Sequence, residues 1–132
     1  MYAWVNLITN NKIFVMFLNL EHTKLDVFIA GKQLVLSCYK VSKLLPQDER
    51  FNMTQQLRRA ALSIQLNIAE GSSRKLPVER RRYYEISRGS VIEIDTVLDI
   101  ATELEYFKKE DLMQTGELII KTFKMLSKMI VY

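Results

Sequence analysis

The chain is short of the residues that interrupt helices, cross-link loops or carry catalysis. It has one cysteine, one histidine, two prolines and four glycines among 132 residues. A single cysteine excludes an intrachain disulfide and makes a reducing compartment, the cytoplasm, the default setting. Cys38 lies in an apolar helical stripe and is expected to be a buried structural thiol, not a nucleophile. The lone histidine, His22, precedes the first amphipathic segment, so Ser-His or Cys-His chemistry has no internal base. A di-iron bundle site needs Glu-x-x-His pairs on two helices, and none occur. P-loop and Gly-rich dinucleotide motifs are also missing. No catalytic site, no metal and no cofactor are therefore expected. So few prolines and glycines also argue against a β-rich or loop-rich fold.

Long apolar runs are missing too. The first twenty residues are apolar but are broken by Asn10, Asn11 and Lys12. The uncharged run over residues 13–20 is far shorter than the roughly 20 residues a bilayer requires, so no membrane partner is expected. The segment has no basic leader and no small-residue cleavage site, which makes it a poor signal peptide. Residues 1–24 read as an N-terminal extension. It is a loose tail, a short strand or helix packed on the domain, or translated sequence upstream of the natural start. Residues 25–132 read as one domain. Their setting is an ordinary globular composition, 48% apolar and 26% charged.

What is present is helical periodicity. Helix one is predicted over residues 26–45, with Asp26 as N-cap, Pro46 as the stop, and a stripe of Phe28, Gly31, Val35, Cys38, Val41 and Leu45. Phe51 reads as an aromatic plug in the loop that follows. Helix two is predicted over residues 53–70, capped by Asn52 or Thr54, with an apolar stripe of Leu57, Ala61, Ile64 and Ile68 beside Ala60. Gly71 suits a left-handed position after its end. Helix three is predicted over residues 77–104, with Pro77 in its first turn. Its seam is Tyr84, Ser87, Val91, Ile94, Leu98 and Ala101, widened by Ile86, Ser90 and Val97. Gly89, costing about 1 kcal/mol inside a helix, would be explained by a close helix crossing. Helix four is predicted over residues 110–130, with Leu112, Gly116, Ile119, Phe123, Leu126 and Ile130 inward. Short connections between helices of similar length give an antiparallel, up-down-up-down four-helix bundle, an all-α fold.

Charge is unevenly spread. Seven basic residues (Arg58, Arg59, Arg74, Lys75, Arg80, Arg81, Arg82) face two acids between positions 58 and 82, a net of +5. Between positions 93 and 117 there are eight acids and two lysines, a net of −6. One reading is a basic corner between helices two and three that contacts phosphates, since arginine's planar fork grips them bidentately. Tyr83 and Tyr84 would then offer stacking faces for unpaired bases, and Arg88 extends the candidate nucleic-acid set. A second reading is a solvated helix end, with the tyrosines in the core and some arginines paired. A third is a contact between subunits, basic corner to acidic helix, closing a ring head to tail.

Arg58 and Arg59 are about 100° apart on a helix and cannot both face inward. One is expected to pair with a helix-three carboxylate, Glu93 or Asp95. Asn67 and Glu70 are expected to make inter-helix hydrogen bonds, a structural polar role. Asp95 and Asp99, one turn apart, read as a solvated acidic face, not a cation site.

The run Gln56-Leu57-Arg58-Arg59-Ala60-Ala61, then Ser63-Ile64 and Asn67-Ile68-Ala69-Glu70-Gly71, resembles the signature of the four helix bundle protein family. Its members are also called 23S rRNA-intervening sequence proteins. Arg88-Gly89-Ser90 and Leu104-Glu105-Tyr106 match it in order and spacing, and the similarity spans roughly residues 25–130. The accessory variability protein of diversity-generating retroelements is a related bundle. The resemblance implies a bacterial, ring-shaped homopentamer associated with RNA, DNA or a reverse transcriptase, without catalysis. The chain departs from the pattern at Gln65, where a proline is usual. It also departs at Leu76-Pro77, in place of a serine-type cap, at Arg80 and Arg81, and at Glu105, where a glycine is usual. The function expected is that of an oligomeric, RNA-associated accessory protein. The alternative is a protein-interaction scaffold that does not touch nucleic acid.

Overall fold

The computed structural model describes residues 7–9, 12–14, 17, 18 and 20–130. Four α-helices make up the core: α1 Asp26–Ser42, α2 Met53–Ser73, α3 Pro77–Glu103 and α4 Met113–Met129. Ahead of them stand two three-residue strands, β1 Leu7–Thr9 and β2 Lys12–Phe14, paired antiparallel with Ile8 opposite Ile13. A turn of 3-10 helix, Glu21–Lys24, leads into α1. The rest of the N-terminal extension, and residues 131 and 132, lie outside the described residues.

The hydrogen bonds between helices fix their directions. Gln56 meets Glu93, Ser90 meets Ser63, Ser87 meets the Ile64 carbonyl and Ser72 meets Tyr84, so α3 runs back along α2. Arg58 meets Ser42 and Gln65 meets the Phe28 carbonyl, which sets α2 against α1 in the same sense. Arg88 on α3 reaches Ser127 on α4, and Ser37 on α1 bonds Thr115 on α4 at 2.6 Å. The bundle is closed, each helix flanked by two others.

The α2 and α3 stripes are buried as their periodicity predicts. Leu57, Ala60, Ala61, Ile64 and Ile68 face Tyr84, Ser87, Ser90, Val91, Ile94, Leu98 and Ala101. Small residues at 60, 61, 87 and 90 bring the two helices together, and Ser87 donates to the Ile64 carbonyl at 2.9 Å with no exposure. Two stripes match expectation only in part. Of the α1 stripe, Gly31, Cys38, Val41 and Leu45 are buried as expected, but Val27, Ala30 and Leu34 join them, while Phe28 and Val35 lie half-buried at the edge. In α4 Thr115 and Thr122 share the inner face with Ile119 and Leu126, and Phe123 is partly exposed. Thr115 finds a partner in Ser37, while the Thr122 hydroxyl is buried without a hydrogen-bond partner among the described residues.

Other expectations are corrected locally. Asp26 is the first helical residue of α1; the N-cap is Leu25, and no side chain caps it. α1 stops at Ser42, a turn before Pro46. Neither Asn52 nor Thr54 caps α2; the Met53 amide donates to the Glu49 carboxylate at 3.2 Å. Phe51 plugs nothing: it is 74% exposed, under the Arg50 guanidinium. Ile86 is exposed, and Gly89 serves no crossing, since a Cβ there would meet nothing within 4 Å. Gly71 is helical and buried, and a Cβ on it would stand 2.8 Å from the Tyr84 ring. The left-handed residue is instead Glu105, φ 64°. The Glu105 amide donates to the Thr102 carbonyl and the Tyr106 amide to the Ala101 carbonyl, the paired bonds of a Schellman ending.

Candidate functional site

The basic residues expected to act together do not all meet. Arg58 turns to the α1 side, where its Nε donates to Ser42 Oγ at 2.9 Å and its guanidinium lies 5.3 Å from the Tyr39 ring centre. It does not pair with Glu93 or Asp95. Arg59 is exposed along a groove between α2 and α3 shared with Glu93, but the residue that reaches Glu93 is Gln56, at 3.5 Å. Arg88 ties α3 to α4 through Ser127 at 3.4 Å, with Phe123 beneath it. Arg59 also lies 15 residues before Arg74 in or beside one helix, roughly 22 Å along the axis at 1.5 Å per residue. These three arginines thus belong to the flanks of the bundle.

The other five, Arg74, Lys75, Arg80, Arg81 and Arg82, do meet, because α2 ends at Ser73 and α3 begins at Pro77. The turn is tight. The extended backbone at Arg74 and Leu76 reverses the chain, and Pro77 supplies the fixed φ of a first helical residue. Arg74 is partly engaged. It pairs with Glu70 at 3.2 Å, donates to the Tyr83 hydroxyl at 3.1 Å, and covers the Tyr83 ring at 5.1 Å. Arg80 Nε donates to the Arg74 carbonyl, which pins it across the turn. Lys75 and Arg82 are exposed, and among the described residues neither has an acidic partner.

The tyrosines are not free stacking platforms. Tyr84 is 7% exposed, and its hydroxyl meets Ser72 Oγ at 3.0 Å. Tyr83 already carries Arg74 on its face. Nor are the expected inter-helix polar bonds made by Asn67 and Glu70. Asn67 donates to the Ser63 carbonyl at 2.8 Å and to Ser63 Oγ within α2, while Glu70 holds Arg74 one turn on. Asp95 is exposed and lines an apolar groove between α3 and α4 with Ile92, Ile119 and Phe123.

Sequence reasoning missed two members of the basic end. The 3-10 turn before α1 lands beside the start of α3, so His22 and Lys24 join Arg80 and Arg81 around a cleft of ≈ 670 Å³. His22 is held edge-on to Phe28, ring centres 5.1 Å apart. No local signal announced this, since it depends on which end of the bundle the N-terminal segment reaches. The helix dipoles contribute little. Two helices start and two finish at this end, so their partial charges oppose and the positive field comes from side chains.

Cys38 is enclosed and its thiol is pushed up to about 12 by burial, the character of a structural thiol. Among the described residues no group of three or more His, Cys, Asp or Glu side chains could hold a metal ion. Among them no helix is long and apolar enough to cross a membrane.

Fold and site together define a closed helical bundle with a basic end. The chain belongs to the 23S rRNA-intervening sequence protein family, whose sequence model matches residues 23–128. No curated protein matches the chain. It is similar to the crystal structure of a protein with unknown function from the S23 ribosomal protein family of Bacteroides thetaiotaomicron. That likeness has a TM-score of 0.74 at 20% identity, over 80% of this chain and 99% of that one, and at such identity it speaks for the fold alone.

Proposed function

We propose that this protein is a non-enzymatic, cytoplasmic accessory protein that binds RNA through the end of the bundle where α2 meets α3. The observation that carries the reading is the convergence of Arg74, Lys75, Arg80, Arg81 and Arg82 on one turn, with Lys75 and Arg82 free of acidic partners among the described residues. Unpaired surface cations bind phosphates by releasing condensed counterions, which gives affinity without sequence readout and with steep salt dependence. The family's description, naming ribosomal RNA, supports this choice of polyanion over others. A single small patch binds weakly, so the protein works as a homo-oligomer. A ring of five, as the sequence resemblance implies, would multiply the patch and replace specificity by avidity.

The test is RNA affinity and particle mass at low and high salt for the natural chain and for a variant carrying Arg80→Glu, Arg81→Glu and Arg82→Glu. Binding at low salt that the variant loses, with helicity unchanged, supports the reading. Equal binding by both proteins sinks it.

One observation favours a second reading. The groove between α3 and α4 presents Ile92, Ile120 and Phe123 to solvent. It suits a protein partner such as a reverse transcriptase, for which the bundle would be a scaffold. Binding of that kind survives high salt, because buried apolar contacts are not screened.

A further inference from the structure

We propose that the cleft beside the basic turn is a pocket for a terminal phosphate monoester, the charged end of a nucleotide. As applied to RNA this rests on the reading above. The cleft's walls come from four elements: His22 and Lys24 before α1, Ser72 at the end of α2, Arg80 and Arg81 at the start of α3, and Met129 at the end of α4. Its volume, ≈ 670 Å³, is in the range of small-molecule sites, roughly 300–1,000 Å³. That accommodates one nucleotide and excludes a duplex.

Three features select a phosphate. First, Lys24 and Arg80, neither in an ion pair among the described residues, line the cleft together with one acid, Glu21. A monoester carries about −1.5 to −2 at neutral pH and matches those two cations better than the single charge of a diester. Second, Arg80 is fixed in advance. Its Nε is committed to the Arg74 carbonyl, which holds the guanidinium plane while the terminal nitrogens stay available for a planar two-pronged grip on phosphate oxygens. A side chain already ordered loses less freedom on binding. Third, the hydroxyls of Ser72 and Tyr84, bonded to each other at 3.0 Å, border the same cleft, and whichever accepts in that bond keeps its own proton as a neutral donor. Lys24 makes no ion pair among the described residues, so its charge is not consumed by the fold.

The experiment uses the full chain and four probes: uridine monophosphate, inorganic phosphate, and a short single-stranded RNA with a terminal phosphate or with hydroxyls at both ends. Lys24→Gln is compared with Lys24→Arg and the natural chain, with circular dichroism confirming the fold. The phosphorylated strand is expected to bind about tenfold tighter than the hydroxyl strand, the scale of a single hydrogen bond to a charged group. Lys24→Gln should remove that preference and weaken the monophosphate, and Lys24→Arg should restore both. Equal affinity for the two strands overturns the pocket and leaves RNA binding at the basic turn intact. Monophosphate binding that depends on Lys24, without any binding of RNA, supports the pocket with a free nucleotide as its source and sinks the RNA reading. Phosphate binding as tight as the monophosphate limits recognition to the anion, and binding of no probe overturns both.

Discussion

The two ends of the bundle are built alike, from helix termini without side-chain N-caps, yet they spend their charges differently. At the end where α1 joins α2 and α3 joins α4, two acids, Glu49 and Asp111, are bound into the fold, while Glu103 and Glu110 stay exposed. Glu49 accepts from the Met53 amide at 3.2 Å and from the Tyr106 hydroxyl at 3.4 Å, and Asp111 accepts from the Lys108 amide at 2.9 Å. At the end where α2 turns into α3, Arg74 is similarly consumed by Glu70 and Tyr83, but Lys24, Lys75 and Arg82 are not. Charge density alone therefore does not mark a functional surface. What separates the ends is the sign of the charges left without a partner among the described residues, acidic at one and basic at the other.

That difference has a direct test in binding. Reversing Arg80, Arg81 and Arg82 should weaken RNA by on the order of a hundredfold at low salt and flatten the salt dependence, each lost phosphate contact lowering the slope by roughly 0.7 for a single strand. Neutralising exposed Glu103 and Glu110 at the opposite end should change affinity less than about twofold, the comparison being made by fluorescence anisotropy across a salt series. If both ends matter equally, the response reports net charge and the distinction between them collapses.

The turns at the two ends also differ in backbone, and this sets two stability predictions of opposite sign. Gly71 lies under the Tyr84 ring, with a Cβ at 2.8 Å. Gly71→Ala therefore overpacks a buried crossing and should cost about 1–3 kcal/mol in denaturant unfolding. Gly89→Ala is the control: open space surrounds it, so removing a helical glycine should gain about 1 kcal/mol. At the other end Glu105 holds φ 64°, a conformation costing a residue with a Cβ roughly 1–2 kcal/mol. Glu105→Gly should raise stability by about 1 kcal/mol, less than the strain removed because glycine also enlarges the entropy of the unfolded chain. A loss at Glu105→Gly would mean that the carboxylate does more there than the turn geometry suggests.

These elements also show how far the sequence alone could be read. The α2 and α3 stripes were legible because their inner positions carry only apolar or small residues at strict three-and-four spacing. Of the α1 stripe, Gly31, Cys38, Val41 and Leu45 are buried as read, but Val27 and Leu34 take the places expected of Phe28 and Val35, because periodicity does not rank two adjacent apolar stripes. On the α4 face Ile119, Leu126 and Ile130 are buried as expected, but Thr115 and Thr122 were missed because threonines look polar. Thr115 is satisfied by Ser37 from another helix, and Thr122 is buried without a partner among the described residues. The family signature proves to be largely architectural. Leu57, Ala60, Ala61, Ile64 and Ile68 fill the core, and Ser63 with Ser90 ties α2 to α3. It identifies the bundle without pointing to a ligand. The basic turn was visible as a run in sequence, but His22 and Lys24 reach it only through tertiary packing. Neither Arg58 nor Arg59 makes the helix-three ion pair expected of one of them; Arg58 turns to Ser42, and the sequence does not give the side on which α1 lies.

The smallest expected effect belongs to Tyr106 at the acidic end. Its phenol is raised above the ordinary value of 10.0, first by partial desolvation and then by the Glu49 carboxylate, which repels the phenolate and accepts its hydrogen bond, with Asp48 adding to the repulsion. A raised value means that the fold favours the protonated phenol. Its contribution is fully present below about pH 10, the unfolded value, and is lost as pH rises through the folded one. Tyr106→Phe should accordingly lower the melting temperature slightly and by a constant amount up to about pH 10. Above that the natural chain should converge on the variant, because ionisation sets a phenolate against Glu49. Lysines and the other tyrosines also titrate there, but they are common to both proteins and cancel in the difference. Convergence would place Tyr106 among the groups whose charge state the acidic end uses for folding. A constant gap through the alkaline range would mean that the ring's packing, not its hydroxyl, holds the α3–α4 loop against Glu49.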